Sequence, residues 1–144
     1  MLGRGGQRGL AATRAAGRVL EVGAPFETLA HPDGAFDTVL CCWTLCRVDD
    51  VPAALAEIHR VLARDGQLLF LDHGPARNHA VATLQRALAP LWARVAGGCR
   101  LGHDTIGALR ANRFVVDECE RPAPLGRLTA GTVVRGRAIK RSGT

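Results

Sequence analysis

Two short apolar runs flanking one amphipathic segment constrain this chain more than anything else in it. The first is F-D-T-V-L-C-C at residues 36–42 and the second is Q-L-L-F-L at residues 67–71. Both are nearly continuous rather than alternating, so each predicts a strand buried on both faces, the habit of a parallel sheet layered with helices. Between them Asp49 or Asp50 predicts an N-cap and Pro52 fits the first helical turn. Val51, Leu55, Ile58 and Leu62 then recur at helical spacing, and Gly66 predicts the stop. Strand, helix, strand is the unit that a parallel pair requires, because such a pair needs a crossover of a dozen residues or more.

The flanks extend the same pattern. Residues 18–22 (R-V-L-E-V) predict a short strand followed by a Gly23-Ala24-Pro25 turn, and L-A-H-P-D-G at residues 29–34 predicts a loop. A long helical pattern carries Val81, Leu84, Leu88, Leu91, Trp92 and Val95, with a break or kink expected at Pro90 and an end at Gly97-Gly98. Asp104 predicts the cap of a short helix holding Ile106 and Leu109, and residues 114–119 and 132–139 predict the last two strands, expected as an antiparallel pair. The whole is an α/β layer pattern. Ligands in such sheets sit beyond the carboxyl ends of the strands, which directs attention to residues 23–27, 42–47 and 72–75. Residues 1–17 read as a flexible basic tail with a weak helix at 10–16, residues 18–140 as one domain and residues 141–144 as a tail.

Composition narrows the classes of function. A chain of 144 residues suits a single domain. Nineteen basic against thirteen acidic side chains give +6, nearly all of it arginine, with Lys140 the only lysine. The arginines are spread along the chain rather than massed on one predicted face, and aromatics, at 4%, do not interleave with them. That argues against nucleic acid as partner. No apolar run reaches the ~18 residues of a membrane span. Cys41, Cys42 and Cys46, with His73 further on, lack C-x-x-C spacing, so the cysteines read as small buried hydrophobes and no metal is expected. An odd cysteine count of five without a secretory leader argues against a disulfide scaffold and for a cytoplasmic chain.

The ordered segments then become familiar. The stretch D-G-A-F-D-T-V-L-C-C-W-T-L-C-R-V-D-D at residues 33–50 resembles class I S-adenosylmethionine-dependent methyltransferases of the type 11 group. So does A-L-A-E-I-H-R-V-L-A-R-D-G-Q-L-L-F-L-D-H at residues 54–73, and P-L-W-A-R-V-A-G-G-C-R-L-G-H-D-T at residues 90–105 is similar to a small-molecule branch. The resemblance covers residues 18–140. It implies a partial Rossmann-like sheet with helices on both faces, S-adenosyl-L-methionine as cofactor and a small-molecule methyl acceptor.

The departures carry as much weight. The family's first strand ends in a glycine-rich loop, and an acid ending its second strand binds the ribose hydroxyls; neither is convincingly present. R-V-L-E-V-G at residues 18–23 echoes the first motif, but Ala24-Pro25-Phe26 replaces its Gly-x-Gly continuation. Read as the family's third strand instead, residues 19–22 lie at the right distance from Phe36-Asp37 without a gap, and this reading is preferred over an internal deletion fusing the first motif to a later loop. The chain is therefore expected to be truncated at its cofactor-binding end. A protein partner completing the sheet, or a non-catalytic binding subunit, is the alternative expectation.

In the preferred reading the adenine loop becomes Ala24-Pro25-Phe26; Pro25 supplies no side-chain acceptor, while Phe26 packs on a purine or in the core. Family analogy places the methionine end of the cofactor at Cys41, Cys42 and Trp43. Asp72 and His73, just past the fifth strand, stand where an acceptor approaches, with His73 the histidine to back as base or substrate contact. His31, His59 and His79 read as surface residues.

Overall fold

Among the described residues eight elements follow one another in the order β1 (Val19–Val22), β2 (Phe36–Cys42), α1 (Val51–Val61), β3 (Leu62–His73), α2 (His79–Val95), α3 (Thr105–Ala111), β4 (Phe114–Glu120) and β5 (Val133–Lys140). The computed structural model describes residues 15–23, 26, 28–73, 79–95, 104–120 and 133–141. The weak helix expected at residues 10–16 lies mostly outside these, as does the end of the long helix at Gly97-Gly98.

The strands form one sheet in the order β1-β2-β3-β5-β4. β1, β2 and β3 are parallel, whereas β5 runs antiparallel to both β3 and β4, as the sequence led one to expect of the final pair. One expectation is overturned. In a doubly wound sheet of order 3-2-1-4-5-6, the neighbour of the fourth strand is the first, and the third lies two places further out. If β2 is the fourth strand, β1 pairs with it directly, Val19 opposite Thr38 and Val22 opposite Cys41. β1 thus occupies the first strand's place, not the third's, and the R-V-L-E-V-G echo was the better guide.

Residues on alternate sides of the strands form two cores. On one face Val39, Cys41, Leu68 and Phe70 meet Leu55, Ile58 and Val61 of α1 and Leu109 of α3, all essentially without exposure. On the other, Leu40, Cys42, Trp43, Leu69, Leu71 and Val133 form a second cluster against which Ala15 packs. The α1 start is as expected: the Asp50 carboxylate accepts from Ala53 N at 3.0 Å, with Pro52 in the first turn. Its end is not. The helix stops at Val61, Leu62 is already extended, and Gly66 belongs to an irregular stretch of β3. A Cβ there would lie 2.9 Å from the Ala63 carbonyl oxygen, which is why the turn carries glycine. Pro90 lies inside α2 without ending it, and Leu84, Leu88 and Leu91 of that helix are exposed.

The β1-to-β2 crossover, residues 23–35, contains no described helix. What pins it is a polar staple from α1. The Arg60 guanidinium donates to the carbonyls of Leu29 and His31 and to Asp33, each at 2.8 Å, while the Glu57 carboxylate accepts from Leu29 N at 2.8 Å and from Arg60. The Arg60 guanidinium, and after it the Leu29 amide, hold the Glu57 carboxyl down at about 2. Its folded pKa lies below the ordinary ~4.3, so its stabilisation is complete above that value and drains as pH falls toward ~2. Glu57→Gln is therefore expected to lose several degrees of melting temperature at neutral pH. The gap should close at about pH 2 in circular-dichroism melts; a gap independent of pH would show that the staple does not depend on the carboxylate.

Candidate active site

The carboxyl ends of β1, β2 and β3 lie side by side, and three local devices fix them. Thr44, fully buried, donates from Oγ1 to the carbonyls of Val22 at 3.1 Å and Cys42 at 3.0 Å, tying the end of β1 to the end of β2. Trp43 holds a left-handed backbone (φ 56°) while its N donates to the Leu71 carbonyl at 2.7 Å. A bulky residue in that region is strained, and such strain persists where surrounding contacts over-determine the conformation. Asp72, with no exposure, accepts from Cys46 N at 3.2 Å and so holds the turn over residues 44–47, which Arg47 N closes on the Thr44 carbonyl at 2.9 Å.

These contacts locate the residues singled out in the sequence. Cys41 faces the α1 side and Cys42 and Trp43 the other, all three packed in core. Burial first, and the Asp72 charge second, push the Cys41 thiol well above its usual range, so it stands as a neutral packing group. Phe26 packs against the α1-side core rather than standing open. His73 ends β3, paired with Val133; Pro25 lies outside the described residues. Asp72 is gathered with the β2 tip, as a buried acceptor. Two residues escaped notice: Thr44, whose bridge spans 22 positions of sequence, and Arg47, whose Nε is buried without a hydrogen-bond partner among the described residues. Nothing local signals the first, whereas an arginine in the loop after an apolar strand was a clue to the second. Among the described residues no group of three or more His, Cys, Asp or Glu could hold a metal, and no helix is long and apolar enough to cross a membrane.

A family model described as a methyltransferase domain matches residues 6–70, a stretch running through β1, β2 and α1 into β3. The chain belongs to the class I methyltransferase family. Human thiol S-methyltransferase TMT1B is 34% identical over 120 residues, 81% of this chain and 49% of that protein. The chain spans about half the length of the curated relatives it matches, 45% for the rat form. Among solved structures, the [4+2]-cyclase SpnF superposes with a TM-score of 0.69 at 16% identity, over 95% of this chain and 80% of that one. The Haloferax volcanii complex of the Trm112 methyltransferase activator gives 0.63 at 15% identity, over 99% and 80%. Identities this low establish shared fold alone.

The methyl donor of class I methyltransferases is S-adenosylmethionine. Two features of this chain fit it. A Cβ added to Gly23 would meet nothing within 4 Å, so the backbone at the end of β1 stands open to a ligand. The buried Arg47 Nε suits the carboxylate of the donor's methionine moiety. One feature is missing among the described residues: no strand lies on the outer side of β1 to carry the ribose-binding acid.

Proposed function

We propose that this chain is a methyl-transfer domain that uses S-adenosylmethionine and a small-molecule acceptor bearing a thiol. The observation that carries the reading is the pair of parallel strand ends, β1 beside β2 in the first and fourth places of the sheet, within the segment matched by the methyltransferase family. The thiol is supported by the names of the relatives of human and rat. The donor supplies an electrophilic methyl group, the acceptor sulfur forms the new C–S bond as the sulfonium C–S bond breaks, and the thiol proton leaves to a base or to water. Arg47 would hold the donor's carboxylate, Thr44 keeps the two strand ends aligned, and we assign the proton to His73, the last residue of β3. Catalysis of this kind is largely orientation, which makes the rigidity of the β2 tip its main contribution. Free Cys41, Cys42, Cys46 and Cys119 support a reducing compartment, and we place the chain in the cytoplasm on that ground.

Calorimetric titration of the full chain with S-adenosylhomocysteine tests the reading. Saturable binding is expected, with Arg47→Gln about tenfold weaker and its melting temperature little changed. Methyl thioether formation from a panel of alkyl and aryl thiols then tests the acceptor; turnover of amines or phenols alone would remove the thiol.

A second reading rests on a specific observation: β1 is the edge of the described sheet. A partner that adds strands there would complete the ribose side, and the chain alone would act as a binding subunit. No heat with millimolar S-adenosylhomocysteine, followed by binding once a partner is added, favours this alternative.

A further inference from the structure

The long helix α2 presents a row of exposed apolar side chains on one face. Of the large apolar residues left exposed among the described residues, Val19 and Val115 lie singly on strands, whereas Leu84, Leu88 and Leu91 stand on α2, exposed to 56%, 44% and 62%. Spaced four and three residues apart, the three leucines fall within about 60° of one another around the helix axis. No described residue of α2 belongs to either core of the sheet. Single exposed apolar residues are ordinary on a protein surface, but an aligned series marks a surface that meets something.

The charge around that face identifies the partner's chemistry. Between Asp72 and Asp104 the chain holds Arg77, Arg86, Arg94 and Arg100 and neither Asp nor Glu. α2 therefore bears Arg86 and Arg94 and no acid, even in its first turn, where an acid would complement the helix dipole. Arg86 donates to Thr83 Oγ1 at 3.3 Å, a hydroxyl on its own helix, and among the described residues no carboxylate pairs with Arg86 or Arg94. Arg94, three positions past Leu91, stands exposed at the border of the leucine face. From there its stem can lie over apolar surface while the guanidinium reaches an anionic group. Arg86 lies across the helix, about 10 Å away, roughly one Debye length at ordinary salt. A second copy of this chain is disfavoured, because α2 packed on α2 sets arginine near arginine with no acid on either helix.

We propose that α2 lies on an anionic lipid surface, with Leu84, Leu88 and Leu91 among the acyl chains and Arg94 among the lipid phosphates. Leucines on one side and arginines without acids around them make the composition of helices that rest in the plane of a membrane interface. Each arginine near a negatively charged leaflet adds to the attraction. Shape favours lipid over a protein partner. A single helix face is convex, and a bilayer yields to it, whereas a protein must bring a matching groove. Leucine is also under-represented among the residues that dominate protein–protein binding. The helix has 17 residues, so about 25 Å of it can lie flat. This is attachment to a surface and not a span, since no described helix is long and apolar enough to cross a membrane. Such attachment is reversible, and it does not depend on which acceptor the methyl group goes to.

Co-sedimentation of the full chain with vesicles of phosphatidylcholine and phosphatidylglycerol in equal parts, beside vesicles of phosphatidylcholine alone, tests the proposal. Saturable binding to the anionic vesicles is expected, about tenfold tighter than to the neutral ones and weakened by added salt. The combined variant Leu84→Gln, Leu88→Gln and Leu91→Gln should bind about a hundredfold more weakly, roughly fivefold for each half-exposed leucine. Its melting temperature should stay that of the parent, because none of the three side chains belongs to a core. Arg94→Gln should lose about fivefold on the anionic vesicles and nothing on the neutral ones, a split that no change of fold produces. No sedimentation with anionic vesicles at millimolar lipid overturns the proposal, and so does parent-like binding by the combined variant. Should that variant melt lower than the parent, Arg94→Gln decides, and parent-like affinity for anionic vesicles overturns the proposal. Binding of polyglutamate without vesicle binding assigns the face to an acidic protein instead. Dimerisation abolished in the combined variant, again without vesicle binding, assigns it to a second copy; either result overturns the lipid assignment.

Discussion

Replacing Gly136 with alanine is expected to lower the melting temperature by about 10 °C or more, the largest loss from any single added methyl group in this sheet. Gly136 lies in β5, opposite Phe70 on β3 and Cys119 on β4. The β4–β5 register shifts between Val116 and Glu118, so that Asp117 is an extra residue in the ladder. The bulge aims the Glu118 carbonyl at Gly136. A Cβ on Gly136 would overlap that carbonyl oxygen, stand 2.9 Å from its carbon and lie 3.0 Å from Phe70 Cζ. None of these atoms is the end of a flexible chain: one group is backbone in a ladder, and Phe70 is 1% exposed. Overpacking of this kind costs ~1–3 kcal/mol and more where neither side can retreat. At ~4 °C per kcal/mol for a chain of this size, about 10 °C follows. Gly23→Ala is the control, because the added methyl group meets nothing within 4 Å. A thermal melt of Gly136→Ala that matches Gly23→Ala would show that the bulge yields and that β4 is loosely held.

Why some of this was legible in the sequence and some was not has a physical answer. β2 and the body of β3 were plain because burial on both faces leaves continuous apolar runs, and α1 was plain because Asp50 and Pro52 mark its start locally. The place of β1 was not. Its four residues are compatible with any parallel position, and the choice is made by hydrogen bonds to β2, from Val19 opposite Thr38 to Val22 opposite Cys41. Counting residues back from Phe36 pointed to the third strand because spacing carries no information about which edge a strand joins. The same limit hid a groove at the amino end of the sheet, lined by residues that include Arg60, Arg64, Arg113 and Lys140. Arg60, Arg64, Arg113 and Lys140 look scattered along the chain, and only a sheet whose fifth strand returns antiparallel beside β3 brings Lys140 to the start of that strand. His59, read as a surface residue, turns out half-buried for the same reason. At the candidate active site the residue types were identified but not their employment: Cys41, Cys42 and Trp43 were expected to meet a ligand, and their side chains are spent on the two cores.

Asp72 shows how far that distinction reaches. A carboxylate at the end of a strand invites a catalytic role, yet here it is wholly buried and accepts from Cys46 N, itself a residue without exposure. Asp72→Ala removes the acceptor and leaves a buried amide to lose about 1–3 kcal/mol, with a further loss from the space vacated. The melting temperature should fall by about 10 °C, and the turn that carries Arg47 should loosen with it, so S-adenosylhomocysteine binding should weaken about tenfold. Asp72→Asn divides the two roles. The amide keeps an oxygen in place for Cys46 N, so a positioning residue predicts stability and affinity close to those of the parent chain. A proton-transferring residue predicts the same affinity but with turnover lost in Asp72→Asn. Differential melts and S-adenosylhomocysteine titrations on the two variants, with turnover measured on Asp72→Asn, therefore separate positioning from chemistry. If asparagine behaves like alanine in both the melt and the titration, the charge itself holds the β2 tip, and the turn over residues 44–47 is an electrostatic construction rather than a hydrogen-bonded one.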